Sequence, residues 1–112
     1  MPMTRAHDDS AVRAHIHQAA TLRRRRPAAG EVAELDTLLR RDLQQLLPAV
    51  QAQVERLWHG SLHWYLDQAA LDLIAEHTRH RLTGEPLHDI AHVAQLARDC
   101  QRLLDWPSSR SR

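Results

Sequence analysis

The chain of 112 residues lacks several residue types altogether. It contains no lysine, asparagine or phenylalanine. It has only one cysteine and three glycines. A single cysteine excludes an internal disulfide, and three glycines are too few for a glycine-rich phosphate loop. The missing residue types have AT-rich codons, so the fifteen arginines are most simply attributed to a GC-rich genome. Arginine content alone is therefore a poor argument for phosphate binding.

Long apolar runs are missing as well. No stretch approaches the ~20 apolar residues of a membrane-spanning helix, and the N-terminus runs directly into polar residues, without the apolar core of a signal peptide. We therefore expect a cytoplasmic protein that does not associate with a membrane. Charge is spread unevenly, because residues 1–26 hold six arginines and two aspartates, whereas residues 27–105 hold seven arginines and twelve acidic residues.

Helical periodicity dominates the rest of the chain. Apolar spacing and the positions of glycine and proline predict helices over about 9–26, 31–57, 61–82 and 86–106, with no strand-like alternation. In the second helix an apolar residue recurs every three or four positions, at Val32, Leu35, Leu39, Leu43, Leu46, Val50, Val54 and Leu57. Pro48 falls opposite this stripe, which favours one bent helix over two separate ones.

The third predicted helix carries two apolar stripes. We expect its main stripe in the core, formed by Leu62, Leu66, Ala69, Ala70, Leu73 and His77. A second stripe lies on the far side, formed by Trp64, Leu71 and Leu82. The first helix, whose apolar face is thin, either packs on this second stripe or leaves it for another chain.

Short turns join the second, third and fourth helices, and such turns place consecutive helices side by side in opposite directions. The sequence therefore predicts an all-α fold, an antiparallel up-down-up bundle of three long helices plus an N-terminal helix. This bundle is expected to be a single domain over residues 9–106, with disordered ends at 1–8 and 107–112.

Antiparallel packing gathers every aromatic residue of the chain near one pole of the bundle, namely Trp58, Trp64, Tyr65 and Trp106. Two interpretations remain open. The group can close the end of the bundle, since aromatic side chains dominate core energetics, and this is the favoured interpretation. Alternatively it can line a pocket for a small molecule or peptide.

The opposite pole gathers His77, His80, His88 and His92. His88 and His92 are spaced i, i+4, which lets two imidazoles bind one zinc ion from one helix face, and residues 88–92 read H-D-x-x-H beside the H-E-x-x-H of zinc proteases. No third ligand follows at a suitable spacing, and the two pairs do not converge on a helical wheel. We therefore expect no cofactor, and a zinc-binding protein or small metal-dependent hydrolase is the alternative.

The run Arg23–Arg26 closes the first predicted helix. It could neutralise phosphates of a nucleic acid, but no recognition helix accompanies it and the body of the chain is acidic. A solvated helix end is the favoured interpretation, and a nucleic-acid-binding regulator is a further alternative.

Two stretches, LLRRDLQQLLPAV at 38–50 and AQLARDCQRLL at 94–104, resemble a family of small actinobacterial proteins labelled "natural product biosynthesis protein". The resemblance covers about residues 32–104. It implies a helical protein associated with natural-product loci, and it supplies no catalytic residues.

No complete set of catalytic residues is recognisable in the sequence. The favoured hypothesis is therefore a non-catalytic helical interaction or accessory protein, with a protein partner or a homodimer as its target. The second stripe of the third helix would make the contact, through Trp64, Leu71 and Leu82.

Overall fold

Four α-helices form the part of the chain that the computed structural model describes, residues 3–22 and 24–107, with side chains from residue 9 onward. They are α1 (Met3–Leu22), α2 (Ala29–Glu55), α3 (Leu62–Arg79) and α4 (Pro86–Leu104). These residues contain no strand, which confirms the predicted all-α class. None of these helices is both long and apolar enough to cross a bilayer. The predicted disorder of residues 1–2 and 108–112 lies outside the described residues.

The helix α2 carries the apolar stripe that the sequence predicts. Six of its eight members are buried, Val32, Leu35, Leu39, Leu43, Val50 and Val54, while Leu46 and Leu57 are partly buried against them. The helix continues unbroken through Pro48, whose side chain is exposed. Proline has no backbone N–H to donate within the helix. Because Pro48 lies on the solvent side, this missing hydrogen bond leaves the core contacts of α2 intact. The prediction of one helix is confirmed.

The helix α1 differs from its predicted bounds and position. It begins at Met3, whereas the sequence predicted a start near Asp9. It ends at Leu22, before the arginine run. Val12, Ala19 and Leu22 are buried, and α1 packs against α4 and α2. Its main contacts are therefore with α4 and α2, whereas one alternative predicted that it packs on the second stripe of α3.

The helix α3 buries the side that the sequence predicted to lie outside, and it exposes the stripe that was predicted to lie in the core. Its buried residues are Leu71 and Ile74, whereas three leucines of the predicted core stripe are 53% to 70% exposed, namely Leu62, Leu66 and Leu73. Trp64, Leu71 and Ile74 are spaced seven and three positions apart, so they lie on one helix face. That face packs against the core, and the leucine stripe is left outside.

Among the side chains that the structure describes, four aspartates are buried, Asp36, Asp42, Asp89 and Asp99. Two of them accept a hydrogen bond from a histidine of another helix. His15 Nδ1 of α1 lies 2.6 Å from Asp42 Oδ2 of α2, and His77 Nδ1 of α3 lies 2.7 Å from Asp99 Oδ2 of α4. A buried carboxylate is tolerated only with such donors, so these pairs fasten each outer helix to an inner one.

Cys100 lies in the core, fully buried, with its Sγ 3.8 Å from the carbonyl oxygen of Leu39. Burial raises the pKa of the Cys100 thiol far above its usual range, and the negative charges of Asp42 and Asp99 raise this pKa further. A thiol in this state is a poor nucleophile. Cys100 therefore acts as a small apolar side chain.

The turn before α4 is held by Asp89. Its carboxylate accepts hydrogen bonds from the backbone N–H groups of Thr83 and Gly84, at 2.8 and 2.9 Å. These bonds, the Thr83 one foremost, lower the pKa of Asp89. Gly84 has a φ of +95°, a conformation that costs little only for glycine. The turn thus depends on both residues.

The His77–Asp99 pair gives a direct test of this packing. We expect Asp99→Ala to lower the free energy of unfolding by about 1–3 kcal/mol, because His77 Nδ1 and the Gln95 amide lose a buried acceptor. The measurement is urea denaturation followed by circular dichroism. The matched control is Asp105→Ala at an exposed position. Equal losses in both variants would contradict the role of the pair.

Candidate functional site

The most exposed apolar surface of the described chain lies on α3 and the turn before it. It consists of Trp58, Leu62, Tyr65, Leu66 and Leu73, each more than half exposed, and we call it the α3 face. Its helical members follow one another at spacings of three, one and seven residues, so they form a stripe along one side of the helix. Large contiguous apolar patches are uncommon on monomeric proteins and mark interaction sites.

The residues predicted to contact a partner lie on the other side of α3. Leu71 is 1% exposed, and Leu82 packs against the core together with Trp64. The structure uses all three side chains within the chain. As predicted, the second stripe lies opposite the leucines, but it is the leucine side of α3 that is exposed to solvent.

The aromatic residues do not form the single plug that the sequence favours. Trp58 is 78% exposed and Tyr65 is 65% exposed. A Cβ atom at Gly60 would lie 2.6 Å from Trp58 Cζ2, so this indole ring lies over the turn instead of entering the bundle. Trp106 packs against the core, with the Arg102 guanidinium 5.9 Å from its ring.

Trp64 is the aromatic residue closest to the predicted role. Its ring stacks on His59, with centroids 4.6 Å apart. Its indole Nε1 is buried and has no hydrogen-bond partner among the described residues. Trp64 therefore links the turn after α2 to the inner side of α3, and the exposed Trp58 and Tyr65 belong to the α3 face.

The four candidate metal-binding histidines take up different roles. His77 is bonded to Asp99, while His80 and His88 are exposed and lie 3.6 Å from Glu76 and Asp89. Within residues 9–22 and 24–107, no three histidine, cysteine or acidic side chains come close enough to hold a metal ion. Asp89, the acidic residue of the H-D-x-x-H segment, already accepts a hydrogen bond from the backbone N–H of Thr83 in the preceding turn.

His92 faces inward, with its side chain only 10% exposed. Its Nε2 lies 3.1 Å from an Arg40 nitrogen and 3.8 Å from Asp36 Oδ1. Because a guanidinium can only donate, the Nε2 must accept, and His92 is a neutral imidazole. Burial and the charge of Arg40 lower its pKa. His92 is thus part of the joint between α2 and α4.

Arg40 connects three elements at this joint. Its Nε donates to Asp36 Oδ2 at 3.0 Å, and its terminal nitrogens donate to the carbonyl oxygens of Thr78 and His80. These carbonyls end α3, where a cation is favourable. The polar groups at this pole therefore hold the end of α3 in place, and they do not converge on a common ligand position.

Arg24, Arg25 and Arg26 of the arginine run lie between α1 and α2, whereas the sequence predicted them in the last turn of the first helix. Arg24, Arg25 and Arg26 are exposed, and Arg25 forms an ion pair with Glu31. This pair raises the pKa of Arg25 and lowers that of Glu31. Arg23 lies outside the described residues. One arginine of the run is thus already paired with a carboxylate, and residues 24–26 are not helical.

The protonation of His92 can be measured directly. We expect an NMR titration of the folded protein to give His92 a pKa below its usual 6.5. Since the folded pKa lies below the unfolded one, His92 favours the folded state above about pH 6.5, and this contribution is lost as the pH falls towards the folded pKa.

The variant Arg40→Gln tests the cause. It should raise the pKa of His92, because the charge of Arg40 opposes protonation. A wild-type midpoint at or above 6.5, or no rise in the variant, would contradict the described geometry.

Comparisons with known proteins give one result. Neither the curated proteins nor the solved structures include a match to this chain. A model of a family of unknown function, DUF6415, matches residues 10–107. The match includes most of α1 and all of α2, α3 and α4. The chain therefore belongs to DUF6415, a family of unknown function.

Proposed function

We propose that this protein is a non-catalytic helical interaction module that binds through the α3 face, and that its partner is a second copy of the chain. The observation that carries the proposal is the exposure of three leucines and two aromatic rings on one side of α3 and the turn before it. A solvent-facing helix normally carries polar residues on its outer side. A partner helix would remove this apolar surface from water.

The order of residues along α3 favours self-association. Ala69, an exposed residue near the middle of α3, is four residues after Tyr65 and four before Leu73. If two copies pair in opposite directions about Ala69, Tyr65 of one protomer lies opposite the partner's Leu73. The small alanine lets the two helices approach closely at the centre. A two-fold pair needs such a self-complementary surface.

The proposal takes the four helices as an antiparallel bundle with α3 on its outside. Two hydrogen bonds support this antiparallel arrangement. Arg40 of α2 donates to the carbonyl oxygen of His80 at the end of α3. Gln51, which comes later in α2, donates to Gln68, which comes earlier in α3. Later residues of α2 thus meet earlier residues of α3. The helix α3 contributes two residues to the core, fewer than the eight buried residues of α2. One side of α3 is therefore free for a partner.

The natural-product association belongs to the proposal as well. It rests on the resemblance of residues 38–50 and 94–104 to the proteins with that label. A module without a catalytic centre would act there by holding other proteins together or by pairing with itself. The identities of the neighbouring genes in several genomes would test this part.

Self-association is tested by sedimentation velocity at high micromolar concentration. We expect a dimer for the natural sequence and a monomer for Leu66→Glu and Leu73→Glu, because a charge replaces an exposed apolar contact. Each variant should weaken association by about tenfold or more, the effect of removing a good interface contact.

The matched control is Leu87→Glu, which changes a leucine of α4 that is also more than half exposed. It should dimerise like the natural sequence, and all three variants should keep the helical circular dichroism signal. A strictly monomeric natural protein, or equal disruption by Leu87→Glu, would contradict the proposal.

A further inference from the structure

A cleft of about 710 Å³ lies between the end of α1, the segment that follows it and the first half of α4. Its apolar wall includes Leu22, Leu87 and Ile90. The volume lies within the range of sites for small organic ligands. Leu87 is 76% exposed, and its position at the cleft explains an apolar side chain that neither the core nor the α3 face uses.

The cleft owes its shape to alanines. Ala91 and Ala94 line it, and a neighbouring cavity of about 220 Å³ shares Ala94 and Arg98 with it and reaches Gln101. The two cavities together follow α4 from Pro86 to Gln101, which is ~22 Å at the helical rise of 1.5 Å per residue. Small side chains leave this space open. An elongated apolar body would fill it better than a compact one.

Positive charge surrounds this apolar wall. Arg25, Arg26 and Arg98 line the cleft, and no acidic residue lines either cavity within the described residues. Arg25 is paired with Glu31, whereas Arg98 donates to the amide oxygen of Gln95 at 2.8 Å. Neither Arg26 nor Arg98 has a carboxylate partner in the part of the chain that the structure describes. Guanidinium groups bind carboxylates through paired hydrogen bonds.

We propose that this cleft binds a small amphipathic organic anion, with its apolar body along the alanines of α4 and its carboxylate held by an arginine of the wall, Arg26 or Arg98. The charge complementarity selects an anion, and the smaller cavity that continues towards Gln101 favours an elongated apolar body. The site uses α1 and α4 and no residue of the α3 face. It is therefore independent of self-association.

The probe for the experiment is decanoate, titrated into the folded protein at millimolar concentrations below micelle formation and followed by amide NMR. We expect shifts at Ala91, Ala94 and the end of α1. Decyltrimethylammonium, with the same tail and the opposite charge, should bind at least tenfold more weakly. Butyrate, with the same charge and a short tail, should also bind at least tenfold more weakly.

Three variants assign the binding to the cleft. The double variant Arg26→Gln/Arg98→Gln should weaken decanoate binding by at least about tenfold, the loss expected for charged hydrogen-bond donors. Ala91→Trp, at an exposed position of the wall, should block binding by filling the space. Arg41→Gln, an exposed arginine of α2 that lines neither cavity, should bind decanoate like the natural sequence.

Several results would overturn the proposal. They are no decanoate binding at millimolar concentration, equal binding of the cationic probe, equal losses in the double variant and Arg41→Gln, or unchanged binding by Ala91→Trp. Shifts confined to the α3 face would overturn it too. If decanoate fails and an acidic amphipathic peptide shifts Ala91 and Ala94, the cleft is a peptide site and the proposal is wrong.

Discussion

Buried carboxylates constrain this fold more than any other group. An unpaired charge in a protein interior costs several kcal/mol, a large share of the stability of a domain of this size. Asp42 and Asp99 each receive a histidine, Asp36 receives Arg40, and Asp89 receives two backbone N–H groups. The two histidines donate from another helix, whereas Arg40 lies on α2 with Asp36 and the donors to Asp89 lie in the turn before α4. The helices α1 and α3 must therefore be rotated so that each brings its histidine to the buried aspartate and also buries its apolar side chains.

The orientation of α3 follows from this constraint. His77 must reach Asp99 of α4, and Arg40 must reach the carbonyls at the end of α3. With these bonds made, Leu71 and Ile74 point into the core. The leucines at 62, 66 and 73 are then turned outward, whatever their hydropathy. A helix fixed by polar bonds can expose an apolar stripe, which a helix fixed by apolar packing alone would not do.

This explains how far the sequence could predict the structure. In α2 a single apolar stripe identified the buried face, and the position of Pro48 on the opposite side was consistent with it. In α3 two stripes competed, and leucine content favoured the wrong one. The spacing of Trp64, Leu71 and Ile74 was visible in the sequence, but the decisive pairing of His77 with Asp99 joins residues 22 positions apart. Likewise, nothing local to Arg40 indicates that it reaches His80. The cleft is formed by two helices and a linker, so no single segment of sequence could predict it.

Several interior groups are held by contacts within the fold. Cys100 is buried, and Asp89 and Asp99 accept hydrogen bonds. A chain of this length buries less than about 70% of its unfolded surface, and each large apolar side chain left exposed forgoes about 1.5–3 kcal/mol of burial. Over residues 9–22 and 24–107, six large apolar side chains are more than half exposed. A small domain that leaves this much apolar surface in water gains stability from any partner or ligand that covers it.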